Sequence, residues 1–83
     1  MKVLYFAWLR QRIGMAEETI ALPNDVTTVS GLLIFLQGLS EQHAIALTDL
    51  SVVRVAVNQD YARHADPVSD EDEVALFPPV TGG

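Results

Sequence analysis

The stretch TTVSGLLIFLQGL, Thr27 to Leu39, decides the fold. Val29, Leu32, Leu33, Leu36 and Leu39 recur at offsets of three and four and form one apolar stripe, and Thr27 or Thr28 can cap its start, so the spacing predicts a helix. Gly31 and Gly38 each weaken a helix interior by roughly 1 kcal/mol relative to Ala, which leaves packing against another layer to supply much of the stability. Ile34 points away from the stripe, either as an isolated exposed apolar side chain or as part of a contact surface. One helix with one apolar face needs a sheet to cover it.

The rest of the chain supplies strands. Upstream, KVLYFAWL (Lys2 to Leu9) is rich in β-branched and aromatic residues, and Gly14 follows as a turn signal. EETIAL (Glu17 to Leu22) suits a second strand before Pro23, Asn24 and Asp25 close it, and the short spacing predicts an antiparallel hairpin. Downstream, SVVRVAVN (Ser51 to Asn58) reads as a third strand. Asn58, Gln59 and Asp60 then turn the chain into a short strand around Tyr61, and VALF (Val74 to Phe77) forms the last. The order β, β, α, β, β, β predicts an α+β two-layer domain, with one mixed sheet of about five strands packed on one main helix. In the first strand Val3 and Tyr5 share one pleat face, while Leu4, Phe6 and Trp8 share the other. A single helix covers one face, so either loops cover the second or part of it meets a partner.

Composition narrows the function. With 83 residues and no break in composition the chain forms one domain, burying about 60–65% of the surface its unfolded form exposes. It has no Cys, which removes disulfide frameworks and thiolate zinc sites and suits a reducing compartment. The apolar run of MKVLYFAWLRQRIG is broken by Arg10 and Arg12, too brief for a membrane span and without a signal cleavage site, so a soluble cytoplasmic protein with no membrane partner is expected. A net charge of −6 and a pI near 4.5 argue against nucleic acid and favour docking on a basic protein surface.

Little in the sequence suggests self-contained catalysis. Asp66, Asp70, Glu71, Asp72 and Glu73 lack the ligand alternation of a calcium loop and read as a solvated turn. His43 and His64 have no metal-ligand spacing and read as surface histidines, so no metal is expected. Ser30, Ser40, Ser51 and Ser69 lack a G-x-S-x-G setting, and no phosphate-binding glycine loop is present. A domain of this size with one helix also leaves little room for a ligand pocket of about 300 Å³.

The unusual chemistry lies in LFPPVTGG, Leu76 to Gly83. Pro78 and Pro79 fix φ near −65°, and a residue before proline favours extended backbone, so the segment starts stiff and loses less entropy on insertion. Six residues beyond Phe77 reach roughly 20 Å at about 3.3 Å each. Gly82 and Gly83 carry no side chain, which lets the backbone pass a narrow channel and leaves the last carbonyl carbon open to attack.

These features together resemble a known family, the ubiquitin-like sulfur carriers, and within them the small subunits of molybdopterin synthase (MoaD). The resemblance covers essentially the whole chain. It rests on VLYFAWLR, TTVSGLLIFL, VAVNQDY and above all DEVALFPPVTGG, because carriers for thiazole synthesis share the Gly-Gly but typically lack the Phe-Pro-Pro lead. Two positions depart from the pattern: Thr81 stands where relatives often have Ser, and Glu71 takes a turn position where they commonly have Gly.

The resemblance implies a β-grasp domain over residues 1–77, with the first and last strands parallel and central, and a flexible sulfur-carrying tail over 78–83. It implies that Gly83 is the carrier, adenylated and then converted to a thiocarboxylate (1-thioglycine), with Gly82, Thr81, Val80, Pro79, Pro78 and Phe77 positioning it in the partner. The chain would bind no cofactor. ATP would be used by a ubiquitin-activating-like adenylyltransferase, sulfur would come from a sulfurtransferase or cysteine desulfurase, and the acceptor would be cyclic pyranopterin monophosphate in the large subunit of a heterotetrameric synthase. Donation to thiazole, cysteine or transfer-RNA thiolation, and conjugation of Gly83 to a protein lysine, are the alternatives.

Overall fold

A computed structural model describes residues 1–79. Five strands, β1 (Lys2–Tyr5), β2 (Glu17–Thr19), β3 (Arg54–Val57), β4 (Asp60–Ala62) and β5 (Glu73–Phe77), form one sheet in the order β2-β1-β5-β3-β4. β1 and β5 pair in parallel at the centre, and every other pairing is antiparallel. Three helices, α1 (Ala7–Ile13), α2 (Val29–Gln37) and α3 (Glu41–Ala46), and a 3₁₀ turn at Leu50–Val52 complete the chain. The mixed sheet on a main helix is the β-grasp arrangement, as expected.

Side-chain alternation explains how the layers meet. Val3 and Tyr5 of β1, Val74 and Leu76 of β5 and Val55 of β3 are buried against Val29, Leu32, Leu33 and Leu36 of α2. Burial of each such side chain contributes about 1.5–3 kcal/mol, which outweighs the modest helix propensity of an α2 that contains Gly31. Thr28 is the cap: its hydroxyl accepts from Gly31 N at 3.1 Å. Gly38 ends the helix rather than interrupting it, so the interior penalty expected there does not arise. Leu39 lies past the end and is exposed, and Ile34 is 60% exposed.

The N-terminal reading needs correction. The run Lys2–Leu9 is not one strand. It leaves the sheet after Tyr5, and Ala7, at φ +54°, turns the chain into α1. Leu9 and Ile13, four residues apart, bury one face of α1 while Arg10 and Arg12 stay outside, and Gly14 closes the helix at φ +89° with its N–H on Arg10 O. Gly14 is therefore a helix cap and not a hairpin turn. β1 and β2 still pair antiparallel, but across a helix, and β2 spans only three residues.

Two further departures follow the same logic. Ser51 and Val52 belong to the 3₁₀ turn, so the third strand starts at Arg54. α3 adds a short third helix, capped by Ser40, whose hydroxyl accepts from His43 N. The β3–β4 turn is the expected one, with Asn58 and Gln59 both at positive φ, the two-residue geometry that matches strand twist. Asn58 also ties this hairpin to β5: its backbone N–H donates to Glu73 O, and its side chain bonds Glu73 N and Asp72. Glu71, in place of a glycine, needs no left-handed backbone.

Candidate functional site

β5 sends the chain toward its terminal segment from the middle of the sheet. It is held by β1 on one side and β3 on the other, with Phe6 N donating to Leu76 O at 3.1 Å just beyond the β1 ladder. Leu76 points into the core. Phe77 points the other way, opposite Arg54 of β3, its ring 5.8 Å from that of Tyr61 at 57°. Pro78 and Pro79 follow, half-buried. A strand fixed on both edges and then two prolines make a rigid base for whatever follows. Val80, Thr81, Gly82 and Gly83, the remaining expected site residues, lie outside the described residues.

The face of the sheet turned away from the helices is apolar around this base. The register aligns Glu17, Leu4, Ala75, Ala56 and Tyr61 across the five strands, with Phe77 and Arg54 one step nearer the terminal segment. Phe6 is 48% exposed and Tyr61 82%. Of the two explanations open for the second face of the first strand, the described residues cover that face only in part: Leu4, Ala75 and Phe77 are half-buried and Ala56 is buried, while Phe6 and Tyr61 stay exposed.

The acidic residues do specific structural tasks. Asp70 accepts from Leu22 N at 2.8 Å and from the Met1 amino group at 3.1 Å, and these bonds, the Leu22 one foremost, hold its carboxyl below its ordinary value. Asp72 accepts from Ser69 N and Asn58, which lowers it likewise, and Asp66 accepts from Arg63 N. Three of these bonds come from backbone N–H groups. Among the described residues no group of three or more His, Asp or Glu converges as a metal site. A depression of about 200 Å³ lies beside β3 and β4, lined by Arg54, Tyr61 and His64, and another of about 210 Å³ lies between Leu22 and Asp70; both are small for an organic ligand.

His43 is the residue the sequence misplaced. It is buried, not at the surface, at 4% exposure. Its Nε2 lies 2.6 Å from Glu18 Oε2, which also accepts from the Tyr5 hydroxyl at 2.6 Å, and its Nδ1 meets Ser40 Oγ at 2.7 Å. A Glu18 carboxylate accepting from both neighbours places a proton on Nε2 and leaves Nδ1 to the Ser40 hydroxyl. Burial, with the Glu18 carboxylate adding to it, pushes the Tyr5 phenol far above its usual range. Ser40-x-x-His43 was the available signal, since a helix-capping serine faces the side chain three residues on. His64, by contrast, is exposed as expected.

Fold and face together define a ubiquitin-like β-grasp domain that presents its C-terminal segment from the central strand. The ThiS family model matches residues 3–83, and the chain belongs to that family. It is 41% identical to the molybdopterin synthase sulfur carrier subunit of Escherichia coli over 83 residues, covering 100% of this chain and 99% of that protein, and 36% identical to its Haemophilus influenzae counterpart at the same coverage. Among solved structures, a putative molybdopterin converting factor subunit 1 from Pyrococcus furiosus superposes with a TM-score of 0.76 at 33% identity over 95% of each chain. SAMP1 from Haloferax volcanii does so with 0.74 at 28%, covering 100% of this chain and 98% of that one. Among the described residues no helix is long and apolar enough to cross a membrane.

Proposed function

We propose that this chain is the sulfur carrier of a molybdopterin synthase. The observation that carries the reading is full-length likeness to proteins of that name, in a chain whose central strand runs directly into Pro-Pro-Val-Thr-Gly-Gly. A carboxylate does not exchange oxygen for sulfur unaided, because oxide is a poor leaving group. Adenylation of Gly83 by a ubiquitin-activating-like adenylyltransferase supplies a good one, and a sulfurtransferase or cysteine desulfurase then delivers sulfur to give the thiocarboxylate.

The large synthase subunit docks on the open sheet face of Leu4, Phe6, Tyr61 and Phe77, and receives Pro78 to Gly83 in its active site. There the Gly83 sulfur attacks cyclic pyranopterin monophosphate, and two such transfers build the dithiolene. The acids and bases of that reaction are the partner's. What this chain contributes is placement: a stiff base, a slender end and one reactive carbonyl.

Intact mass tests the reading. After incubation with ATP, the activating enzyme and a sulfur donor, the terminal fragment gains about 16 Da, which must be separated from sulfoxide formation at Met1 or Met15, a change of nearly the same nominal mass. An unchanged terminal fragment overturns the reading. Protein conjugation is the second reading, in which a lysine amine takes the activated acyl group.

A further inference from the structure

β3 begins at Arg54 and β4 ends at Ala62, so their hairpin opens toward the end of the sheet from which the terminal segment leaves, with Arg54 opposite Phe77. The depression of about 200 Å³ beside these strands is a notch lined by Arg54, Tyr61 and His64 together with Val53, Val55 and Ala62. Among the described residues its lining carries two nitrogen-rich side chains, both exposed, and no carboxylate. In a chain of net charge −6 that reverses the local sign. Elsewhere Lys2 is paired with Glu17, and Arg12 lies over the Trp8 ring. Arg54 instead donates to Ser51 O at 2.9 Å, a bond that anchors the guanidinium and leaves the rest of its five N–H donors to an acceptor from outside.

The geometry points to this notch as a receptor for a carboxylate side chain of the large synthase subunit, held by the Arg54 fork and a His64 N–H. The inference rests on the carrier reading above and adds the polar contact that orients the docked pair. The notch is smaller than the ~300 Å³ of ordinary ligand pockets yet open to a single side chain. A guanidinium takes a carboxylate through two parallel N–H donors, which fixes direction as well as distance. Tyr61 belongs both to the notch and to the open apolar face, where its ring lies 5.8 Å from that of Phe77. A partner seated on that face therefore reaches Arg54 without a second docking site. Apolar contact alone leaves the partner free to rotate on the sheet; one charged pair beside Phe77 sets the heading along which Pro78 and Pro79 enter.

Calorimetric titration of the full chain with the purified large subunit, at low and at moderate salt, tests the inference. Arg54→Gln is expected to weaken binding on the order of tenfold and to flatten its salt dependence. His64→Gln should lose several-fold, and Arg54→Lys should recover part of the Arg54→Gln loss, since an ammonium keeps the charge without the fork. Because the Arg54 side chain is exposed, the urea midpoint of Arg54→Gln should match that of wild type. Arg63→Gln removes the same charge from a residue outside the lining and is expected to bind like wild type. Unchanged affinity in Arg54→Gln overturns the inference, and so does an equal loss in Arg63→Gln, which a general field explains. Inorganic phosphate that saturates the notch by NMR, while large-subunit affinity ignores Arg54, makes it a small-anion site and overturns the inference too. Wild type that does not bind the large subunit at all overturns the carrier reading itself, so the two failures are distinguishable.

Discussion

Tyr5 and His43 donate to the same oxygen of Glu18, so three elements, β1, β2 and α3, share one carboxylate. Tyr5→Phe removes a hydrogen bond to a charged acceptor and is expected to cost about 1.5–3 kcal/mol, lowering the melting temperature by on the order of 10 °C, read by calorimetry. Asp70 acts at the surface and is read by pH. Its folded-state value lies below the ordinary 3.8, so it stabilises the fold above that value, and the contribution is lost as the pH falls from about 5 through the lowered value. Wild type and Asp70→Asn should therefore differ in urea midpoint at neutral pH and converge in strong acid. The proposed sulfur carrier, Gly83, is the functional extreme. Its deletion, or one residue added after it, is expected to leave the unfolding curve unchanged and nearly abolish dithiolene formation, since misplacement by about 1 Å already costs on the order of 10²-fold and a residue step is about 3.3 Å.

Elements differed in how plainly the sequence announced them. α2 was legible because Val29, Leu32, Leu33 and Leu36 hold a helical period across its length, and Thr28 supplies a cap. α1 was not, because Phe6, Ala7, Trp8 and Leu9 form an unbroken apolar run that fits a strand as readily as a helix, and seven residues are too few for periodicity to arbitrate. α3, at six residues, was shorter still. The parallel β1–β5 pairing came from family resemblance, since side-chain alternation within two strands does not say which neighbours which. The proline and glycine signals of the terminal segment were open to reading because they are contiguous; the Tyr5–Glu18–His43–Ser40 group was hidden because its members come together only through folding. At this scale the open sheet face is testable. Tyr61 is 82% exposed, so Tyr61→Asp should cost no more than about 1 kcal/mol, from the lost contact with the Phe77 ring. The same change should weaken large-subunit binding on the order of tenfold or more by titration calorimetry, as loss of an aromatic anchor does.

Across the whole molecule, the strand made last sits in the middle. β1 cannot join β3 until β5 arrives between them, so Lys2 waits for Glu73, and the sheet closes only through contacts spanning nearly the full sequence. Such topologies are slow to fold, because the entropy of closing long loops is lost before long-range contacts form. During synthesis the consequence is that the sheet stays in two halves until its last strand emerges. A polypeptide broken off before Val74 lacks the central strand and is left with β1–β2 and β3–β4 as separate two-stranded pieces, each at best marginal in water by itself.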